Sequence, residues 1–216
     1  MAVSPARVIV VIAGSAGALG PLQSIVSSLP SDLPGAVVVL LHRRPSSGPD
    51  SMLARILSRT SRLPVTDATD GDLLEEGHVY VAKADLHLVV DETRKFAYVD
   101  GRRIRFVLSS ANPLFESSAQ VFGRNTIAVV LSGSGSDGTD GVQTIKACGG
   151  TVIAQDPATA IHVGMPTAAV SSGAVDYALP LERIAPAVVR LTRERAHKRS
   201  DGDGETSGGG ARLEAV

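Results

Sequence analysis

The sequence predicts an α/β fold: a three-layer, doubly wound, mostly parallel sheet with an antiparallel hairpin extension. Three observations lead there. Residues 7–13 (RVIVVIA), 35–41 (GAVVVLL) and 126–131 (TIAVVL) are continuous aliphatic runs, the pattern of strands buried on both faces. About twenty residues of helix and turn separate the first two runs, so the connection is a crossover and the strands are parallel. The strand–helix alternation then resumes after residue 126.

Taken in order, the first run breaks at Gly14-Ser15-Ala16-Gly17, and a helix follows with Pro21 near its first turn. Leu22, Ile25, Val26 and Leu29 recur at helical spacing and give it one apolar face. The second run ends at His42, and from Pro49 (PDSMLARILSRT) another helix is expected with Leu53, Ile56 and Leu57 inward. Residues 63–108 change character: HVYVA, LHLVV, KFAYV and RIRFVL, set off by Gly or Asp turns, read as hairpin strands forming an antiparallel extension or edge. A helix is expected over residues 112–122. After the third buried run come the loop 132–140 (SGSGSDGTD) and a helix with Val142 and Ile145 inward. A strand over 151–154, a short helix over 165–171, a strand over 175–179 and a closing helix lined by Ile184, Val188 and Leu191 complete the domain. From Glu194 the composition turns polar and glycine-rich, so the domain is placed at 1–193 and a disordered tail at 194–216. The charge cluster over 190–199 reads as a solvated helix end.

The bulk numbers exclude several function classes. A net charge of -1 gives no field to gather nucleic acid or a membrane surface, and 3% aromatics with no Trp leave no base- or sugar-stacking platform. The single cysteine, Cys148, rules out an intrachain disulfide and a cysteine metal site, and a buried structural role is expected for it. No His or acid pair has metal-ligand spacing, so neither metal nor cofactor is expected. No apolar run approaches the roughly 18 residues of a membrane span, and residues 1–6 carry no signal-peptide core, so a cytoplasmic location is the default. Oligomeric state is left open.

In an open α/β sheet, ligands bind beyond the carboxyl ends of the strands. Three chemically distinct side chains sit at such ends: Ser15 after the first buried strand, His42 after the second, and Asp137 in the loop after the third. They supply a nucleophile, a general base and a group to orient the base. Ser15 lies in a strand-to-helix turn, where the first amides of the helix have no intrahelical partner and suit an oxyanion. Ala16 N–H, just after the nucleophile, is the natural first donor. The bland readings are a cap or phosphate-loop serine, a core histidine and a turn-initiating Asp-Gly. A nucleotide site also competes: Gly14, Gly17 and Gly20 form G-x-x-G-x-x-G, and Arg43-Arg44 would suit the 2′-phosphate of NADP. His78, His87 and His162 are weaker candidates, and Asp70 and Asp72 read as solvated turn.

The pattern as a whole resembles the catalytic domain of CheB-type protein-glutamate methylesterases, from about Val8 to Leu191. The family's G-A-S-T-G-G turn is matched by Ala13-Gly14-Ser15-Ala16-Gly17-Ala18, its Q-H-M-P element by Leu41-His42-Arg43-Arg44-Pro45, and its T-G-M-G-x-D-G loop by Ser132-Gly133-Ser134-Gly135-Ser136-Asp137-Gly138. Asp70-Gly71, then Gly77 to Ala82 and His87, and Ala154-Gln155-Asp156 to Gly164-Met165-Pro166, follow two further family segments. The resemblance implies hydrolysis of glutamyl methyl esters on chemotaxis-type receptors, often with deamidation of glutamine, through Ser15, His42 and Asp137. It also implies that Ala16, Gly17, Ser134, Gly135 and Met165 line the oxyanion and substrate site. The partner would be a methylated receptor or another protein substrate.

Two departures bear on the target. The family's R-H-R-P-S-x-D-x-L-F segment is here Phe106-Val107-Leu108-Ser109-Ser110-Ala111-Asn112-Pro113-Leu114-Phe115, so its basic residues are replaced by apolar or small ones. The family's loop Met is Ser134. Members commonly carry a phosphorylatable receiver domain ahead of the esterase, and the early first strand here leads to the expectation that this switch is missing in cis. A divergent esterase and a non-catalytic adaptor with another protein target are the alternatives.

Overall fold

A computed structural model describes residues 4–43, 52–99 and 109–197. Its strands, in chain order, are β1 (Ile9–Gly14), β2 (Ala36–Leu41), β3 (Val65–Asp67), β4 (Val79–Val81), β5 (His87–Val90), β6 (Phe96–Val99), β7 (Thr126–Val130), β8 (Thr151–Gln155) and β9 (Tyr177–Leu179). Seven of them form one sheet in the order β3-β4-β2-β1-β7-β8-β9, and every pairing in it is parallel. The chain enters at β1 in the middle, builds outward through β2, then crosses back to β7 on the other side. The carboxyl ends of β2, β1 and β7 therefore lie side by side at the point where the winding reverses, the usual ligand crevice of such sheets.

Period-two alternation along the central strands divides the core into two layers. Val10, Ile12, Val37 and Val39 face α1 (Leu19–Ser28), α2 (Met52–Ser58) and α6 (Leu181–His197), meeting Leu22, Ile25, Leu57 and Val188. Val11, Ala13, Val38 and Leu40 face the other way, toward α3 (Ala111–Phe122), α4 (Thr139–Ala147) and α5 (Gly164–Ser171), meeting Phe115 and Ile145. Every residue of β1, β2 and β7 is buried, as continuous apolar runs require when both faces are covered. Each large side chain removed from water contributes about 1.5–3 kcal/mol, which makes the three strand ends rigid mounts.

The three-layer α/β expectation holds, and several details change. HVYVA is not a hairpin strand: β4 is an interior strand of the main sheet, parallel to both β2 and β3. The β3–β4 link returns as a loop tucked against β6, with Leu74 buried and bonded to Arg94 O (3.0 Å), so it looks like a turn in sequence and acts as a crossover. Among the described residues only β5 and β6 form an antiparallel hairpin, and it is a separate two-stranded sheet, not an extension of the large one. RIRFVL lies outside the described residues. In α2 the buried positions are Leu53, Ala54 and Leu57, with Ile56 half-buried. Cys148 is exposed, because it caps α4 in an outward turn instead of facing the core. Helix α6 runs to His197, beyond the expected boundary at 194, since Arg195 reaches back to Thr126 O (2.7 Å) and the Thr151 hydroxyl; residues 198–216 lie outside the described residues.

Candidate active site

The site is assembled by sheet register before any side chain is considered. Gly14 and Leu41 are partners in the β1–β2 ladder, and the ladder continues one residue further through His42 N–H to Gly14 O (3.0 Å). On the other side Ser15 N–H donates to Ser132 O (3.0 Å), just past the end of β7. The backbone thus ties the Ser15 turn to both of the other strand ends.

Asp137 is the most constrained group there. It is 5% exposed, and its Oδ2 accepts from His42 Nε2 (2.9 Å) and Ala111 N–H (2.7 Å) while its Oδ1 accepts from the Ser110 hydroxyl (2.5 Å). Burial pushes the carboxyl upward, but hydrogen bonds from His42, Ser110 and the Ala111 amide outweigh it and hold Asp137 below the usual carboxylate range. An ionised Asp137 accepts only, so His42 Nε2 carries the proton and Nδ1 is left as the basic nitrogen. The His42 side chain is 12% exposed, enough to reach an incoming substrate.

Ser15 is half-buried, and among the described residues its hydroxyl hydrogen-bonds to nothing, His42 included. Its turn is shaped for an anion. Ala18 N–H donates to Ser15 O (3.1 Å), whereas Ala16 and Gly17 N–H donate to no described group. Gly17 has φ +75°, and a Cβ there would lie 2.9 Å from both the Ser132 hydroxyl and Ile161 Cβ, so only glycine lets the turn pack so closely. Ser132, fully buried, fastens this arrangement: its hydroxyl donates to Ala16 O (2.8 Å) and accepts from His162 N–H (3.0 Å), and its own amide donates to Gln155 Oε1 (3.0 Å).

The remaining expected residues divide. Ser134 and Gly135 are exposed on the loop leading to Asp137. Met165 is 1% exposed, donates its N–H to Gly133 O (2.9 Å), and packs its side chain against Gly133 beside Ser15. His162 contributes its backbone, accepting from Gly133 N–H (3.0 Å). His78 lies elsewhere, stacked on Tyr80 and bonded to Thr66 Oγ1 (2.9 Å), and Asp70 and Asp72 are exposed turn residues. The nucleotide reading loses its support: Ser132, Ile161 and His162 close on Gly17, and the Arg43 guanidinium turns back onto Leu41 O (3.3 Å) and Ala82 O (3.0 Å). Arg44 lies outside the described residues.

Sequence reasoning overlooked Ser110, Ala111 and Ser132. Ser110 had a legible signal, a serine just before a helical apolar repeat, which marks an N-cap. Ser132 had none, since its partners come from three distant segments. Among the described residues no group of three or more His, Cys, Asp or Glu is gathered for a metal, and no helix is long and apolar enough to cross a membrane.

Comparison with known proteins agrees with this architecture. The family model described as CheB methylesterase matches residues 10–188. A protein-glutamate methylesterase/protein-glutamine glutaminase of Pyrococcus horikoshii is 40% identical over 189 residues, covering 86% of this chain and 51% of that protein. A Leptospira interrogans relative is 33% identical over 190 residues and is covered over 97% of its own length. The chain spans about half the length of the first of these relatives, and nearly the whole of the second. The crystal structure of the Thermotoga maritima CheB methylesterase catalytic domain matches with a TM-score of 0.81 at 36% identity, covering 85% of this chain and 98% of that one. By family model, relatives and fold, this chain belongs to the CheB methylesterase family.

Proposed function

We propose that this chain hydrolyses glutamyl methyl esters on a methylated receptor of the chemotaxis type, with Ser15 as nucleophile, His42 as general base and Asp137 as its orienting anion. The observation that carries the reading is the His42 Nε2–Asp137 bond of 2.9 Å at the strand end next to Ser15. With Nε2 committed to Asp137, Nδ1 takes the Ser15 proton as Oγ attacks the ester carbonyl. This needs only a side-chain rotation of Ser15 or a substrate-induced closure, since such bonds are often long before substrate binds.

The carbonyl oxygen becomes an oxyanion held by the unengaged amides of Ala16 and Gly17, with the positive end of α1 behind them. Collapse of the intermediate breaks the C–O bond to the methoxy group, and protonated His42 returns its proton so that methanol leaves. Water, deprotonated by His42, then cleaves the acyl-serine and leaves a glutamate carboxylate and free Ser15. The same steps on a glutamine side chain release ammonia, in keeping with the double name of the relatives. Ser134 and Gly135, exposed at the mouth, meet the substrate polypeptide. A cytoplasmic setting belongs to the same proposal.

The test is methanol release from a methylated receptor cytoplasmic fragment. Turnover that disappears in Ser15→Ala supports the assignment. Receptor binding without turnover, equal in wild type and Ser15→Ala, would instead identify an adaptor.

A further inference from the structure

Ser110 has no part in the mechanism above, yet it is fully buried and committed at both its hydroxyl and its backbone amide. The hydroxyl donates to Asp137 Oδ1 (2.5 Å) and accepts from Asn112 N–H (3.2 Å). The Ser110 amide donates to Nδ1 of His87 (3.1 Å), which is 1% exposed at the start of β5. A serine serving only as a helix cap needs the bond to Asn112 alone. The second bond, made with the hydroxyl proton, is not required by capping and is aimed at the anion beside His42.

Its consequence follows from the carboxylate's geometry. Oδ2 serves His42 and Ala111, and Oδ1 serves Ser110, so the two oxygens are fixed from opposite sides and the group cannot turn about its Cβ–Cγ bond. Without the hydroxyl, Oδ1 is a buried acceptor with no partner, and the carboxylate gains by rotating away from its alignment with the imidazole. Asn112 reinforces the clamp, with Oδ1 accepting from Gly141 N–H (2.9 Å) at the first turn of α4. A continuous line of bonds thus runs from the hairpin through α3 to the Asp137 loop and on to His42.

We propose that Ser110, anchored by His87, is a positioning residue that sets the rotation of the Asp137 carboxylate and so the alignment of His42. For the reaction, this rests on the esterase reading of the site. The experiment compares Ser110→Ala and Ser110→Thr in the full chain, reading kcat and KM for methanol release from a methylated receptor fragment and the downfield proton NMR signal of the His42 N–H. Ser110→Ala is expected to lower kcat about tenfold or more with KM unchanged, the loss of one hydrogen bond to a charged group, and to shift or broaden the N–H signal. Ser110→Thr, which keeps the hydroxyl, is expected to restore both. A wild-type kcat and N–H signal in Ser110→Ala would overturn the proposal, and so would a folded Ser110→Thr that restores neither. Wild-type protein without Ser15-dependent turnover would refute the esterase reading instead, and the N–H signal alone would then decide whether Ser110 positions the His42–Asp137 pair.

Discussion

Replacing Asp137 by Asn is the sharpest perturbation of the proposed mechanism, because it removes a charge while nearly preserving shape. The three donors at Asp137 reach two oxygens, two of them at Oδ2 and the Ser110 hydroxyl at Oδ1. An asparagine satisfies this set best with its oxygen at the Oδ2 position and its NH2 toward Ser110, whose hydroxyl proton can swing away. His42 then keeps a neutral acceptor at Nε2, and its tautomer survives. What is lost is the anion opposite the imidazolium that forms when His42 takes the serine proton. Two unit charges about 4 Å apart at an effective dielectric of about 20 interact by about 4 kcal/mol. Loss of that stabilisation in the transition state alone slows turnover about a thousandfold. The assay is kcat for methanol release by wild type and Asp137→Asn, with thermal melts to verify that both are folded. A folded Asp137→Asn keeping more than about a tenth of the wild-type kcat would refute the electrostatic role argued for Asp137.

Two further outcomes follow from the same geometry. Gly164→Ala places a Cβ 2.7 Å from Gly135 N, 2.9 Å from Gly135 O and 3.0 Å from Gly133 O. All three are backbone atoms that cannot rotate aside, so the substitution is expected to cost about 1–3 kcal/mol in urea unfolding and to lower kcat by moving the loop that carries Asp137; an unchanged unfolding midpoint and kcat would refute that close packing. Acid sensitivity supplies the second. The folded carboxyl of Asp137 lies below its ordinary value of 3.8, so its contribution to stability is fully present above that pH and is lost as pH falls through the lower folded value. The stability gap between wild type and Asp137→Asn is expected to narrow only below about pH 3.8, by urea unfolding across pH; a gap that narrows near pH 6 would contradict it.

Much of the site was legible because its members stand where a buried strand stops. Runs such as GAVVVLL end abruptly, and the first polar residue beyond them, His42, is placed by the run itself. The middle of the chain resisted for a different reason. A short buried run between turn signals has the same local pattern whether it pairs in a hairpin or enters a parallel sheet, as β4 does between β2 and β3. Cys148 was misjudged because helical periodicity does not extend into the cap, where the outward turn leaves the thiol exposed.

Ser15 remains the point from which the chemistry is read, and its own hydrogen bonds are the least informative part of the site. Apolar patterning along the chain determined the fold class, the three central strands and the three residues at their carboxyl ends, because burial on two faces imposes a continuous local composition. Only the tertiary structure decided that β2, β1 and β7 are neighbours, that Asp137 meets His42 through Nε2, and that Ser110 and Ala111 complete the carboxylate's shell. The side-chain contacts among these join residues up to 95 apart, and their geometry is set by strand order and by the seat of one helix end, which no local stretch of sequence encodes.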